Sequence, residues 1–187
     1  MFDKLIKLDQ QLLVFLNNLG TERWDVVWLY ITDKHNWMPV YLLLLVIIFR
    51  FLGWKKGGYL LLIVTLMITF SDQFTNFIRG VFERDRPFNN PDLASYLRTL
   101  IRPGRYSFTS GHATTSTAVT VFLIATLKPF TKAIYLLLVF PILFTYSRLY
   151  LGVHFPIDVT VGACIGTTIG YVFYKIYTTT SLKIFSS

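Results

Sequence analysis

An all-α, polytopic transmembrane helical bundle of five to six spans with an N-terminal interfacial helix is the fold class that the sequence predicts, and three observations predict it. The 187 residues are 53% hydrophobic and 17% aromatic, with a mean hydropathy of +0.52. Charged residues make up 15% of the chain, well below the roughly one quarter usual in soluble domains. Apolar stretches recur at lengths near the ~20 residues that cross a bilayer as helix, and basic residues are unevenly shared between the connections. The single cysteine, Cys164, excludes a disulfide framework and a thiolate metal cluster. In its apolar run it is expected to act as small core filler.

The elements follow in chain order. At the N-terminus, Leu5, Leu8, Leu12, Leu16 and Leu19 recur at helical spacing, and Trp24, Val27, Trp28 and Ile31 continue the pattern. Residues 3 to 33 therefore read as one or two interfacial helices. Asp3, Lys7, Asp9, Gln10 and Gln11 interrupt the apolar core that a cleaved signal peptide needs, so this segment is expected to be retained. Apolar spans are predicted at about 36 to 52, 58 to 82, 111 to 127, 132 to 150 and 156 to 177. That makes five, or six if the N-terminal segment inserts. With no internal repeat or low-complexity linker, residues 1-187 read as one membrane-embedded domain, with 1-34 at the interface and 83-109 as a long outer loop.

Alternating the connections puts Arg50, Lys55, Lys56, Lys128, Lys132, Lys175 and Lys183 on one side, with no acid among them. Basic loops belong in the cytoplasm. The other side carries mixed signs and the arginines Arg79, Arg84, Arg86, Arg98, Arg102, Arg105 and Arg148. Guanidinium forks match phosphate oxygens, so a phosphate-bearing ligand is expected there, although about half of these arginines would serve equally well as anchors to head groups or loop carbonyls.

Three clusters stand out on that side. In RGVFERDRP (79 to 87), Arg79 and Arg86 are seven residues apart, which on a helix puts them on one face, and Pro87 stops continuation. Asp72 and Asn76 lie upstream on the same stripe; an acid within a span needs a partner, and Asp72 would either support the arginines or form a structural interhelical pair. In FTSGHATTSTA (108 to 118), Ser110 is a good N-cap, with Gly111 and His112 in a first turn whose free N–H groups attract an anion. In SRLYLGVHFPID (147 to 158), Pro156 suits the first helical position and Asp158 the first turn, from which it can reach His154. A carboxylate on one imidazole nitrogen leaves the other nitrogen's lone pair free to attack. Taken singly, each histidine reads as a capping or interfacial polar group; together, at span ends on one side, they can surround one phosphate.

Arg79, Arg86 and Pro87 (R-x6-RP), Thr109 to His112 (TSGH), and Ser147, Arg148, His154 and Asp158 (SR-x5-H-x3-D) resemble the three-part signature of the type 2 phosphatidic acid phosphatase superfamily, whose fold is related to that of vanadium haloperoxidases. Two positions depart from it: Arg79 stands where the family usually has lysine, and Thr109 where it usually has proline. The resemblance implies that His154 attacks phosphorus to form a phosphohistidine, that Asp158 orients it, and that His112 protonates the leaving oxygen and then activates water. Arg79, Arg86, Arg148, Ser110 and Gly111 would hold the phosphate oxygens. It implies no cofactor and no metal, and Asp72, Glu83, Asp85 and Asp158 are too dispersed for a magnesium site.

A lipid phosphate arriving by lateral diffusion is the expected substrate and the bilayer the expected partner, with no nucleic acid. The site would face the periplasm or exterior from a bacterial inner membrane. Arg98, Arg102 and Arg105 are expected to meet a second phosphate, which favours undecaprenyl pyrophosphate; phosphatidylglycerol phosphate, phosphatidic acid and lipid A are alternatives. A phosphotransferase passing the group to another lipid, or a non-catalytic lipid-phosphate binder, would use the same arginines.

Overall fold

The computed structural model describes residues 2–104 and 106–185, and among them the structure is helical with no strand, only one isolated bridge between Asp85 and Tyr106. Arg105 lies outside the described residues. The chain opens with α1 (Phe2–Asn18) and α2 (Glu22–Thr32). On α1 the leucine stripe points away from the protein: Leu5, Leu8, Leu12 and Leu19 are exposed, while Asp9, Leu13 and Asn17, four residues apart in turn, are buried. This inverts the pattern of a helix on a water-soluble domain and suits one whose outer face meets acyl chains. Asn17 anchors it, donating to the Tyr150 carbonyl (2.6 Å) and accepting from the Arg98 N–H (2.8 Å).

Helix α3 (Met38–Phe82) runs for 45 residues with one break, at Gly53 (φ 70°, ψ 175°). A straight helix of that length would extend about 67 Å, yet Met38 near its start and Arg79 near its end line the same cavity. The chain therefore doubles back at Gly53, the residue type that takes this φ without a steric penalty. The two arms correspond to the spans expected at 36 to 52 and 58 to 82. No loop separates them, because the basic connector Trp54, Lys55 and Lys56 is itself helical.

A short α4 (Pro91–Ala94) lies in the loop before α5 (Gly111–Leu127). A 3-10 turn over Lys132–Leu138 then leads into α6 (Val139–Tyr150), and α7 (Pro156–Phe185) closes the fold. Lys34–Phe82, Lys132–Tyr150 and Pro156–Phe185 are each long and apolar enough to cross a membrane; α5 is a shorter apolar helix.

Helix α5 sits at the centre, against α3, α6 and most extensively α7. Its fully buried Ala118 and Phe122 meet Leu60, Met67 and Ile169 in the main core. Apolar side chains gain little by leaving lipid, so helices in a bilayer associate through close packing, for which small residues are needed. Gly162, Gly166 and Gly170 of α7 supply it: a Cβ on Gly166 would stand 2.3 Å from the Thr114 carbonyl oxygen, and one on Gly170 2.4 Å from that of Ala118. Many hydroxyls in the apolar helices are satisfied internally, as Thr69 is by the Thr65 carbonyl (3.0 Å), whereas those of Ser71 and Thr120 have no partner among the described residues. Cys164, expected in the core, is instead exposed on α7, because the glycine face of that helix, not the cysteine face, turns toward α5.

Candidate active site

The glycine contact between α5 and α7 also brings two of the sequence clusters together. Ser110 begins α5 as an N-cap, its Oγ accepting from the Ala113 N–H (3.4 Å), and its own N–H donates to the Asp158 carbonyl in the first turn of α7 (3.1 Å). Gly162 lies against the Ser110 carbonyl, where a Cβ would come within 2.8 Å. Pro156 is the first residue of α7. The preceding turn includes Gly152 at φ 68°, the left-handed conformation that suits glycine, and the Val153 N–H closes it on the Arg148 carbonyl (3.1 Å).

Arg79 and Arg86 do converge, but not through helical spacing. Helix α3 ends at Phe82, and Glu83 turns left-handed (φ 44°), so Arg86 belongs to the extended segment that follows. That segment is pinned by Ser107, which donates from its N–H to the Arg84 carbonyl (2.8 Å) and from Oγ to that of Asp85 (3.1 Å). Arg79 Nε donates to the Thr109 carbonyl (3.1 Å). Arg86 donates to the carbonyls of Gly104 and Val153 and approaches His154 Nε2 at 3.1 Å. A guanidinium has no lone pair to offer, so Nε2 must be the acceptor and the imidazole proton must sit on Nδ1. Nδ1 faces Asp158 Oδ2 at 3.5 Å, longer than a normal hydrogen bond.

His154 is buried among cations: loss of solvent, then the charges of Arg86, Arg148 and Arg79, hold it well below the usual histidine range. It is neutral at physiological pH. Burial and the nearby Arg79 likewise push Arg86 down to about 10, partly offset by Asp158, which still leaves it charged at neutral pH. Arg148 is also buried; its Nη1 donates to Thr32 Oγ1 (2.6 Å), whereas its Nε has no partner among the described residues. His112 stacks on Phe144 at 4.5 Å between ring centroids. It lines, with His154, Arg79, Arg86, Arg148 and Gly111, one cavity of about 1440 Å³. Among the described residues no three side chains of metal-ligand type gather.

Asp158 is held from behind by residues outside the expected site. Arg84 bridges two buried carboxylates, with Nη1 on Asp158 Oδ1 and Nη2 on Asp9 Oδ2, each at 2.7 Å. Its guanidinium stacks over Phe155 at 3.9 Å. Asp158 Oδ2 also accepts the Phe155 N–H, and Asp9 Oδ1 the Ile157 N–H, both at 2.9 Å. The N-terminal helix is thus tied to the turn that presents His154. Sequence reasoning passed over Arg84 and Asp9. The signal was present: in an extended stretch, Arg84 and Arg86 flank Asp85, and both point away from it. Thr32, from the end of α2, carried no such signal.

The remaining expectations divide. Asp72 reaches Arg79 through Asn76, which donates to Asp72 Oδ2 (3.3 Å) and accepts from Arg79 Nη1 (3.4 Å). Arg98 does not serve a second phosphate: it forms a two-pronged pair with Asp25 (2.8 and 2.7 Å), which also accepts from the Tyr150 hydroxyl (2.8 Å). Its charge is already matched within the fold. Arg102 is exposed, 5.7 Å from the Phe88 ring centroid, and Arg105 lies outside the described residues.

Helical membrane phosphatases are the class that this fold and this gathering of arginines around a histidine pair define. The chain belongs to the PAP2 superfamily, which it matches over residues 59–181, and the resemblance carried by its three motifs is thereby shown. It is 36% identical to the lipid A 4'-phosphatase of Bacteroides thetaiotaomicron over 94% of its own length and 80% of that protein. It is 31% identical to the undecaprenyl-diphosphatase of Sulfolobus acidocaldarius over 92% of its length and 72% of that protein. The fold superposes on the transmembrane PAP2-type phosphatidylglycerolphosphate phosphatase from Bacillus subtilis with a TM-score of 0.73 at 20% identity, covering 92% of this chain and 86% of that one. The protein is a membrane lipid phosphatase.

Proposed function

We propose that the protein removes a phosphate monoester from a glycolipid of the lipid A type by way of a phosphohistidine, at a site on the outer face of a bacterial inner membrane. The observation that carries the reading is the charge balance of the cavity. Arg79, Arg86 and Arg148 line one cavity, so their like charges repel one another. Of the nearby carboxylates, Asp9 and Asp158 are already engaged by Arg84, and Asp72 offsets one of the three arginine charges through Asn76, which leaves an excess of about two. The positive excess matches a phosphate dianion, and the unpartnered Arg148 Nε is a donor for one of its oxygens.

In this reading a phosphate oxygen takes over the Arg86 N–H that caps His154 Nε2. The freed lone pair forms the N–P bond, the bond from phosphorus to the lipid oxygen breaks, and His112, which takes up a proton once the phosphate dianion offsets the surrounding arginines, gives that oxygen its proton. The cation created on His154 is met by Asp158 through the Nδ1 proton. Water then attacks phosphorus, His112 takes its proton, the N–P bond breaks, and inorganic phosphate leaves. Gly111, Arg79, Arg86 and Arg148 hold the equatorial oxygens throughout, in the manner of fixed dipoles and charges aimed at developing charge, while Ser110, buried behind the cavity wall, caps the helix that presents Gly111.

The rest of the cavity suits a lipid. Below the arginines it is walled by Tyr41, Leu44, Ile48, Leu61 and Val64, space for acyl chains. The greasy outer face of α1 would rest in the interface. The high identity to a lipid A 4'-phosphatase over nearly the whole chain favours a glycolipid monoester. A second reading, hydrolysis of undecaprenyl pyrophosphate, is supported by the undecaprenyl-diphosphatase relative but no longer by Arg98. Phosphate release from both lipids by purified protein in detergent tests the assignment: the glycolipid is expected to have the higher kcat/KM, and a preference for the prenyl diphosphate would reverse the order. Transfer of the phosphoryl group to water, read as free phosphate, rather than to a second lipid separates the hydrolase from a phosphotransferase.

A further inference from the structure

One wall of the cavity is out of keeping with a site for hydrocarbon. Beneath Arg79, Thr69, Asp72, Gln73 and Asn76 of α3 all line it, in the apolar arm of a helix long enough to span the membrane. Asp72 is exposed to this space and uses only Oδ2 in a hydrogen bond, to Asn76. Among the described residues no cation forms an ion pair with it. An ionised carboxylate at that depth is costly without a donor to satisfy it. Asp72 lies about 10 Å and Asn76 about 4.5 Å along the helix from Arg79, at 1.5 Å per residue.

We propose that Thr69, Asp72, Gln73 and Asn76 form a head-group subsite for the hydroxyl and amide N–H donors of a phosphorylated amino-sugar lipid, immediately below the arginines that hold its phosphate. This rests on the glycolipid reading of the site given above and names the residues that select such a substrate. A carboxylate only accepts hydrogen bonds, so the group it meets must donate. A sugar ring bearing the phosphate offers such donors, and it lies deeper than the phosphate, between it and the acyl chains. A prenyl diphosphate would place isoprene units against Asp72 and leave its Oδ1 without a donor. The strip thus discriminates because the wrong lipid covers Asp72 Oδ1 without pairing it, the form of selection that hydrogen-bonding sites perform best.

The test is steady-state phosphate release by the full-length protein in detergent, run on a 4'-phosphorylated lipid A and on undecaprenyl pyrophosphate. For Asp72→Ala, KM for the glycolipid is expected to rise about tenfold, as the loss of one charge-assisted hydrogen bond implies, with kcat within twofold. Turnover of the prenyl diphosphate should stay within twofold or improve. Asp72→Asn keeps an acceptor oxygen and the side-chain shape, and should raise glycolipid KM by about threefold, which keeps the test open if the alanine variant folds poorly. An equal loss on both substrates would make Asp72 a support for Arg79 and overturn the subsite, as would no change on either. If wild-type protein releases phosphate from the prenyl lipid but not from the glycolipid, the glycolipid reading itself fails and the subsite falls with it.

Discussion

Replacing Arg84 should damage turnover more than substrate binding, although Arg84 is not expected to touch the reacting phosphate. Its guanidinium is the cationic partner of Asp158 and joins that carboxylate to Asp9, at 2.7 Å on each side. The side chain of Asp158 is fully buried and that of Asp9 nearly so, with Arg84 itself 26% exposed. Removing one member of a buried ion pair typically costs about 3 to 5 kcal/mol; partial exposure of Arg84 brings the expectation to the lower end, about 3 kcal/mol or less. Part of that appears as stability, and part as freedom of Asp158 to swing from its 3.5 Å approach to His154. Misplacement of a catalytic group by about 1 Å can cost about a hundredfold in rate. Arg84→Met is therefore expected to lower kcat by about a hundredfold with KM within threefold, because it leaves in place Arg79, Arg86 and Arg148, the residues proposed to hold the phosphate. Arg84→Lys should recover less than tenfold, since an ammonium is a point charge and does not bridge two carboxylates as a planar fork does. The assay is initial-rate phosphate release in detergent, with the thermal midpoint recorded for each variant. A folded Arg84→Met protein with wild-type kcat, or one that loses affinity with kcat intact, would refute the coupling.

Asp9→Asn, which keeps an oxygen for the Ile157 N–H, should lower kcat by about tenfold, the equivalent of about 1.4 kcal/mol, and a wild-type rate would show that the N-terminal helix does not influence the site. His154→Ala should abolish both turnover and acid-labile phosphoenzyme, whereas continued phosphate release would remove the nucleophile assigned here. Activity should persist in excess chelator, since guanidinium groups carry the positive charge; a loss restored by a divalent metal would count against that. Gly166→Val should lower stability by about 1 to 3 kcal/mol or more through overpacking against the Thr114 carbonyl, read as a drop in thermal midpoint. Because the folded protein holds His154 neutral while the unfolded chain takes up its proton below about pH 6.5, stability should fall as pH drops through 6.5 toward the depressed folded value. That decline should be shallower in His154→Gln, and identical profiles would contradict it.

Much of the protein was legible from local pattern. A bilayer imposes a length on each helix and forbids most charges within it, so apolar runs and their punctuation disclose the helices directly. Pro156, Ser110 and Asp158 act within one helical turn, and the caps and helix starts that their positions imply are the ones present. Less legible were interactions whose partners are distant in the chain. The helical reading of Arg79 and Arg86 failed because a single left-handed residue, Glu83, redirects the chain after Phe82. The expected diphosphate contact of Arg98 failed because Asp25, 73 residues away, had already claimed it. The glycines of α7 became meaningful only once α5 was seen against them.

The sequence by itself determined the medium and the approximate extent of the helices, and it singled out the candidate site residues, since these depend on hydropathy, chain direction and residue chemistry over a few turns. Tertiary structure alone decided that Asp9 and Arg84 stand behind Asp158, that α3 folds back on itself to enclose a cavity, and that Asp72 faces it. Those relations depend on which helix faces pack together, and packing is set by shape and close approach between segments that carry no record of each other in their local sequence.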